Sequence, residues 1–130
     1  MAGLGDSMVA AVLRADDLVR AKKFYCETLG LAQGPMSPAG ELFLAGKGTA
    51  VLIYERPGMP APQNTTLGFS VEASQFDALV VELRDNGVVF EEYDMPEMGL
   101  KTVDGVATVE GIKSAWFKDT EGNIISIAVM

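Results

Sequence analysis

The order of sequence signals runs twice through the 130 residues, and that repetition restricts the chain to folds made of two like units. Met8 to Leu13 is a run of small and β-branched apolar residues ended by Arg14, which predicts a buried strand. Asp16 and Asp17 stand where a helix needs a cap. Leu18, Ala21, Phe24, Tyr25 and Leu29 then recur at helical spacing, and Gly30 sits where a left-handed residue ends a helix. The second pass begins at Thr65 to Val71, continues through the capping pattern Ser74-x-x-Asp77 and the face Phe76, Leu79, Val80 and Leu83, and stops at Asn86-Gly87. Laying Val9–Arg14 over Thr65–Ser70 and Gly30-Leu31 over Gly87-Val88 gives a period of about 57 residues.

Further strands complete each pass. In the first, Glu41 to Ala45 and Thr49 to Glu55 flank Gly46-Lys47-Gly48, a hairpin signal. In the second, Val88 to Glu92, Lys113 to Lys118 and Ile124 to Met130 read as strands, the last two joined by the turn Asp119–Asn123. Arg56 to Gln63, with three prolines and a glycine, is the one internal linker. The stretch from Met95 to Gly111 reads either as a mobile cover or as one extra hairpin. The expectation is one α+β domain over residues 1–130, built from two βαβββ modules at about 8–56 and 65–130, each with an apolar sheet face that pairing would bury.

Charge and residue counts narrow the function. A formal net charge of −8 repels phosphate backbones, and no basic stripe with interleaved aromatics is present, so nucleic acid is an unexpected partner. No apolar run reaches the roughly 20 residues of a membrane span, and the first residues carry no basic and apolar leader, so a soluble cytoplasmic protein is expected. Cys26 has no second cysteine for an internal disulfide. The chain holds no histidine, which excludes a facial triad of two histidines and a carboxylate and excludes a serine nucleophile with a histidine base.

Two separated motifs add a resemblance. Leu13-Arg14-x-x-Asp17-Leu18-x-x-Ala21-x-x-Phe24-Tyr25-x-x-x-Leu29-Gly30-Leu31 and Ala115-Trp116-Phe117-x-Asp119-x-x-Gly122-Asn123-Ile124, with the duplication, resemble the glyoxalase/bleomycin-resistance family, the vicinal-oxygen-chelate superfamily. The resemblance implies duplicated modules forming a cupped mixed sheet, with metal ligands on its inward faces in the enzymes. The ligand positions fall at Ala10, Thr66, Leu52 and Ser126, none of which is a histidine or a carboxylate. The expectation is therefore no metal and no cofactor.

Strand parity extends these positions. If Ala10 faces inward, Val12 and Arg14 share its face; from Leu52, Tyr54 and Arg56 follow. The resemblance implies a ligand contact at Arg14 and a pocket aromatic at Trp116, with Ser114 on the same face. Arg14 has the alternative of pairing with Asp16 or Asp17, Arg56 that of a solvated turn residue, and Trp116 that of plain core. The expected function is a metal-free protein that holds a small amphipathic organic ligand, assembles as a homodimer and has no catalytic residue. The alternative is an enzyme of the glyoxalase, dioxygenase or epimerase type with a non-standard metal site, or with Glu55, Tyr54 and Arg14 acting without metal.

Overall fold

The computed structural model describes residues 3–7, 9–38, 40–45 and 48–129, without the side chains of Ser37, Leu42 and Leu44. The chain forms two compact units, Met1–Gly58 and Met59–Met130.

In the first unit a short 3-10 turn at Gly3–Asp6 precedes β1 (Ala11–Ala15), α1 (Leu18–Lys23), β2 (Ala32–Ser37), β3 (Gly40–Leu44) and β4 (Ala50–Glu55). The strands are ordered β1-β4-β3-β2, with β1 parallel to β4 and the other pairs antiparallel. Asp17 caps α1 as expected, its carboxylate accepting from the Arg20 N–H at 3.1 Å. The helix widens into a π-helical turn over Phe24–Thr28, in which the Leu29 N–H reaches back to the Phe24 carbonyl. That turn holds Tyr25 inward, stacked on Phe43 at 5.8 Å between ring centroids. Leu13, Ala15, Ala21, Val51 and Ile53 complete this core.

The second unit contains β5 (Thr65–Val71), α2 (Ala73–Asp85), the two-residue β6 (Asp94–Met95), β7 (Leu100–Val103), β8 (Val106–Val109), β9 (Ile112–Lys118) and β10 (Ile124–Val129). Their order is β5-β10-β9-β8-β7-β6. As in the first unit, the opening strand lies parallel to the closing one, and the closing one antiparallel to its predecessor. Phe76, Val80 and Leu83 of α2 are buried, as are Leu67, Ile125, Ile127, Ala115 and Phe117 on one face of the sheet. Truncating a fully buried phenylalanine such as Phe76 or Phe117 typically costs about 3–5 kcal/mol.

Several sequence expectations are corrected. The first strand begins at Ala11, so Ala10 precedes it and Arg14 lies within it; Met8 falls outside the described residues, as do Met130, Gly46 and Lys47. β2 was not foreseen because Pro35 argues against a strand, yet β2 is a sheet edge and its pairing shifts between Gln33 and Met36, where a missing N–H does least harm. The cap of α2 is Glu72 and not Ser74; it makes no side-chain cap bond, and the Gln75 N–H is satisfied by the Glu72 carbonyl. Val88 to Glu92 is no strand. It touches the sheet through one bridge, Phe90 to Phe117, and through the Glu91 N–H bonding to the Trp116 carbonyl.

The stretch after Met95 forms ladder rather than a cover. Val103 pairs with Val106 and Val109 with Ile112, leaving the two-residue loops Asp104-Gly105 and Glu110-Gly111. All four loop residues have positive φ, as a type I′ turn demands. The two glycines differ in surroundings: a Cβ on Gly105 would lie 2.6 Å from the Phe90 Cβ, whereas one on Gly111 meets nothing within 4 Å. Gly111→Ala should therefore lower stability only by the backbone cost of about 1–2 kcal/mol. Gly105→Ala should cost roughly 1–3 kcal/mol more, because Phe90 must move. Paired urea denaturation curves measure the difference, and equal losses would contradict the packing at Phe90.

Candidate functional site

Strand parity divides each sheet into a buried face and an open one. In the first unit the register pairs Val12 with Leu52 and Arg14 with Tyr54, so these four share the open face, while Leu13 and Ile53 share the buried one. Arg14 donates from Nη1 to Asp16 Oδ1 at 2.9 Å, and its side chain is only 12% exposed. The pairing alternative holds for Arg14, but at a largely buried group and not at the surface. Asp16 Oδ1 also accepts from the Gly58 N–H at 3.1 Å, which ties the end of β1 to the chain leaving β4. Arg56 lies one residue past β4 and is exposed; its N–H bonds to the Ala15 carbonyl. Glu55, a candidate for acid-base work, accepts from the Leu18 N–H at 3.3 Å at the start of α1.

In the second unit β10 sets Ser126 opposite Trp116 and Ala128 opposite Ser114. On its other side Ser126 faces Gly68, where a Cβ would lie 3.0 Å from the Ser126 Oγ. Glycine thus leaves room for that hydroxyl. Thr66 sits in a bulge: pairing jumps from Ile124–Thr65 to Ile125–Leu67, and the Thr66 hydroxyl donates to the Ile124 carbonyl at 3.2 Å. Trp116 is half-buried and meets Tyr93 edge-to-face at 5.6 Å between centroids. The structure therefore gathers Trp116, Ser114 and Ser126 on one face, with Thr66 at its margin.

Sequence reasoning missed the residues that extend this face. Tyr93, Lys118 and Ile124 line a shallow depression of about 400 Å³, walled by Ala61, Pro62 and Gln63 and edged by Glu91. Lys118 has the parity of Trp116, so it was within reach of the same argument. Tyr93 was not, because its position depends on the Phe90 bridge and on Thr102, whose hydroxyl accepts from the Tyr93 N–H at 2.7 Å and donates to its carbonyl at 3.2 Å. Glu91 Oε1 lies 3.5 Å from Lys118 Nζ. The Asp119–Asn123 turn beside the depression is closed on itself: Asp119 Oδ1 accepts from the N–H groups of Glu121 and Asn123, and Oδ2 from the Asn123 side-chain amide.

Residues 7–127 match the Glyoxalase/Bleomycin resistance protein/Dioxygenase superfamily, and the chain belongs to it. Solved structures share the fold. A glyoxalase/dioxygenase from Nostoc punctiforme is 16% identical with a TM-score of 0.71, over 99% of this chain and 94% of its own. The oxidase ChaP-H2 is 19% identical with a TM-score of 0.69, over 95% and 94%. The fosfomycin resistance protein FosX from Mesorhizobium loti is 14% identical with a TM-score of 0.67, over 96% and 92%. No curated protein matches the chain in sequence at a significant level.

The metal implied by the superfamily does not fit the residues at its expected positions. Leu52 is a hydrocarbon, Ala10 precedes its strand, and the Thr66 hydroxyl is engaged by a backbone carbonyl. Ser126 alone offers an oxygen with no such bond to the backbone, and neutral hydroxyls are poor partners for a divalent cation without carboxylate or imidazole. Among the described residues no three histidine, cysteine, aspartate or glutamate side chains converge.

Burial pushes the Tyr93 phenol above the usual tyrosine range, and the Glu91 carboxylate adds to the effect. The folded state thus holds the neutral phenol more tightly than the unfolded chain does. That stability is fully present below the ordinary tyrosine value and is lost as pH rises through the folded one. Tyr93→Phe should flatten the fall of stability above about pH 10. Urea midpoints of both proteins across the alkaline range test this; parallel curves would show that Tyr93 does not titrate against folding.

Proposed function

We propose that the protein is a metal-free binding member of its superfamily that holds a small amphipathic organic molecule on the open faces of its sheets. The observation that carries this reading is the edge-to-face pair of Trp116 and Tyr93, beside a depression that Ile124 and Pro62 help to line and on the same face as the hydroxyls of Ser114 and Ser126. Aromatic faces supply dispersion and desolvation, and hydroxyls orient a ligand; neither group moves a proton at neutral pH. Arg14, Leu52 and Tyr54 give the first unit an open face of similar character, with Arg56 past its end. Solved relatives named as fosfomycin resistance proteins are consistent with a role in handling small foreign molecules.

The proposal includes a cytoplasmic homodimer. The one cysteine suits a reducing compartment. β1 and β5 are each the last strand of their sheet, and open edges favour pairing with a second chain. Sedimentation at micromolar concentration should give twice the mass of one chain.

Metal analysis separates binding from metal chemistry. Purified protein should lose zinc, nickel, iron and manganese on dialysis, and a stoichiometric residue of any of them would overturn the reading. For a ligand selected by thermal-shift screening, Trp116→Ala should weaken binding by about 2 kcal/mol, roughly 30-fold. Arg56→Ala should cost less and act mainly on the association rate. Titration calorimetry and stopped-flow mixing read these effects; the reverse order would describe an electrostatic site and not an aromatic one.

A further inference from the structure

The depression beside Trp116 carries one acid and one base on its rim. Glu91 Oε1 and Lys118 Nζ stand 3.5 Å apart, longer than the 2.7–2.9 Å or so of a tight charge-assisted hydrogen bond. Their side chains are 30% and 56% exposed, and ion pairs with this much water contribute little to stability. Opening the pair therefore costs the fold little. Tyr93, Ile124 and Pro62 line the same depression, and Tyr93 meets the Trp116 ring edge-to-face. The two charges thus share one depression with apolar and aromatic side chains that a ligand's body would cover.

We infer that this depression selects zwitterions: small molecules of amino-acid type, whose ammonium replaces Lys118 at Glu91 and whose carboxylate replaces Glu91 at Lys118, with an aromatic or branched side chain laid on Tyr93 and Ile124. The inference rests on the reading of this face as a binding site and adds the class of ligand. A ligand with both charges exchanges one loose pair for two new ones. A ligand with one charge satisfies one rim group and leaves the other without its former partner, which costs more at a partly desolvated rim than in water. The Tyr93 phenol is neutral at neutral pH, as any tyrosine is, and adds no competing anion beside the ammonium position.

The test uses three probes with the same phenyl body: L-phenylalanine, 2-phenylethylamine and 3-phenylpropionate. Each is titrated into the whole chain while the Trp116 indole resonance is followed; the chain has a single tryptophan, so the signal is unambiguous. L-phenylalanine should bind about tenfold more tightly than either singly charged probe, in line with one added charge-assisted contact. Glu91→Gln should reduce L-phenylalanine to the affinity of 3-phenylpropionate, and Lys118→Gln to that of 2-phenylethylamine. Equal affinity for the three probes, or preference for a singly charged one, overturns the zwitterion assignment while the binding site stands. No movement of the indole with any of the three overturns it as well. A screened hydrophobic ligand that still moves the indole would then preserve the binding reading, and failure of both would remove the two together. Both variants are at exposed or half-exposed positions, and urea midpoints equal to that of the parent chain are the control for an intact fold.

Discussion

Everything placed on the open faces depends on the register between neighbouring strands. A ladder has a side-chain period of two, so one residue of slip of β9 against β10 would carry Trp116 inward and expel Phe117, and the same slip of β10 would exchange Ser126 with Ile125. The cost of that exchange is what holds the register: Phe117 and Ile125 are among the largest fully buried side chains of the chain. The site and the core are in this sense one constraint seen from two sides. Local devices reinforce it. The Asp119 carboxylate closes the β9–β10 turn by accepting from the Glu121 N–H and from the N–H and side-chain amide of Asn123, and the type I′ loops set β7, β8 and β9 against each other without slack.

How much of this was legible in the sequence varied with how local the cause was. The cap at Asp17, the termini at Gly30 and Gly87 and the alternation along β4, β9 and β10 are properties of short windows, and each could be read directly. β2 was hidden because Pro35 and Gly34 look like a loop until one knows that the strand is an edge. Val88 to Glu92 has the composition of a strand, but only Phe90 finds a ladder partner. The candidate site divided the same way: parity from Trp116 reached Ser114 and the family resemblance supplied Ser126, whereas Tyr93 arrives from a segment 23 residues away whose path is set by Thr102 and Phe90.

The two units solve the same problem with different amounts of chain. Both place the closing strand beside the opening one, in parallel, and both bury a helix-side face of aromatic and branched residues. The second inserts β6 and β7 before the three strands that correspond to β2, β3 and β4, and that insertion supplies Thr102, the anchor for Tyr93. The aromatic corner is thus a property of the elaborated copy alone, which explains how two modules of one plan come to carry different chemistry on their open faces.

Parallel pairing of first and last strands also orders events during synthesis. β1 can meet β4 as soon as Glu55 has left the ribosome, whereas β5 waits, with no strand beside it in its sheet, until β10 is made some 60 residues later. Through that interval Leu67 and Phe69 have no ladder to shelter them, and a nascent chain in this state is open to capture by chaperones or by a neighbouring copy on the same message. The exposed residues Thr65, Gly68 and Ser70 that interleave with them keep the waiting segment from being a continuous apolar strip.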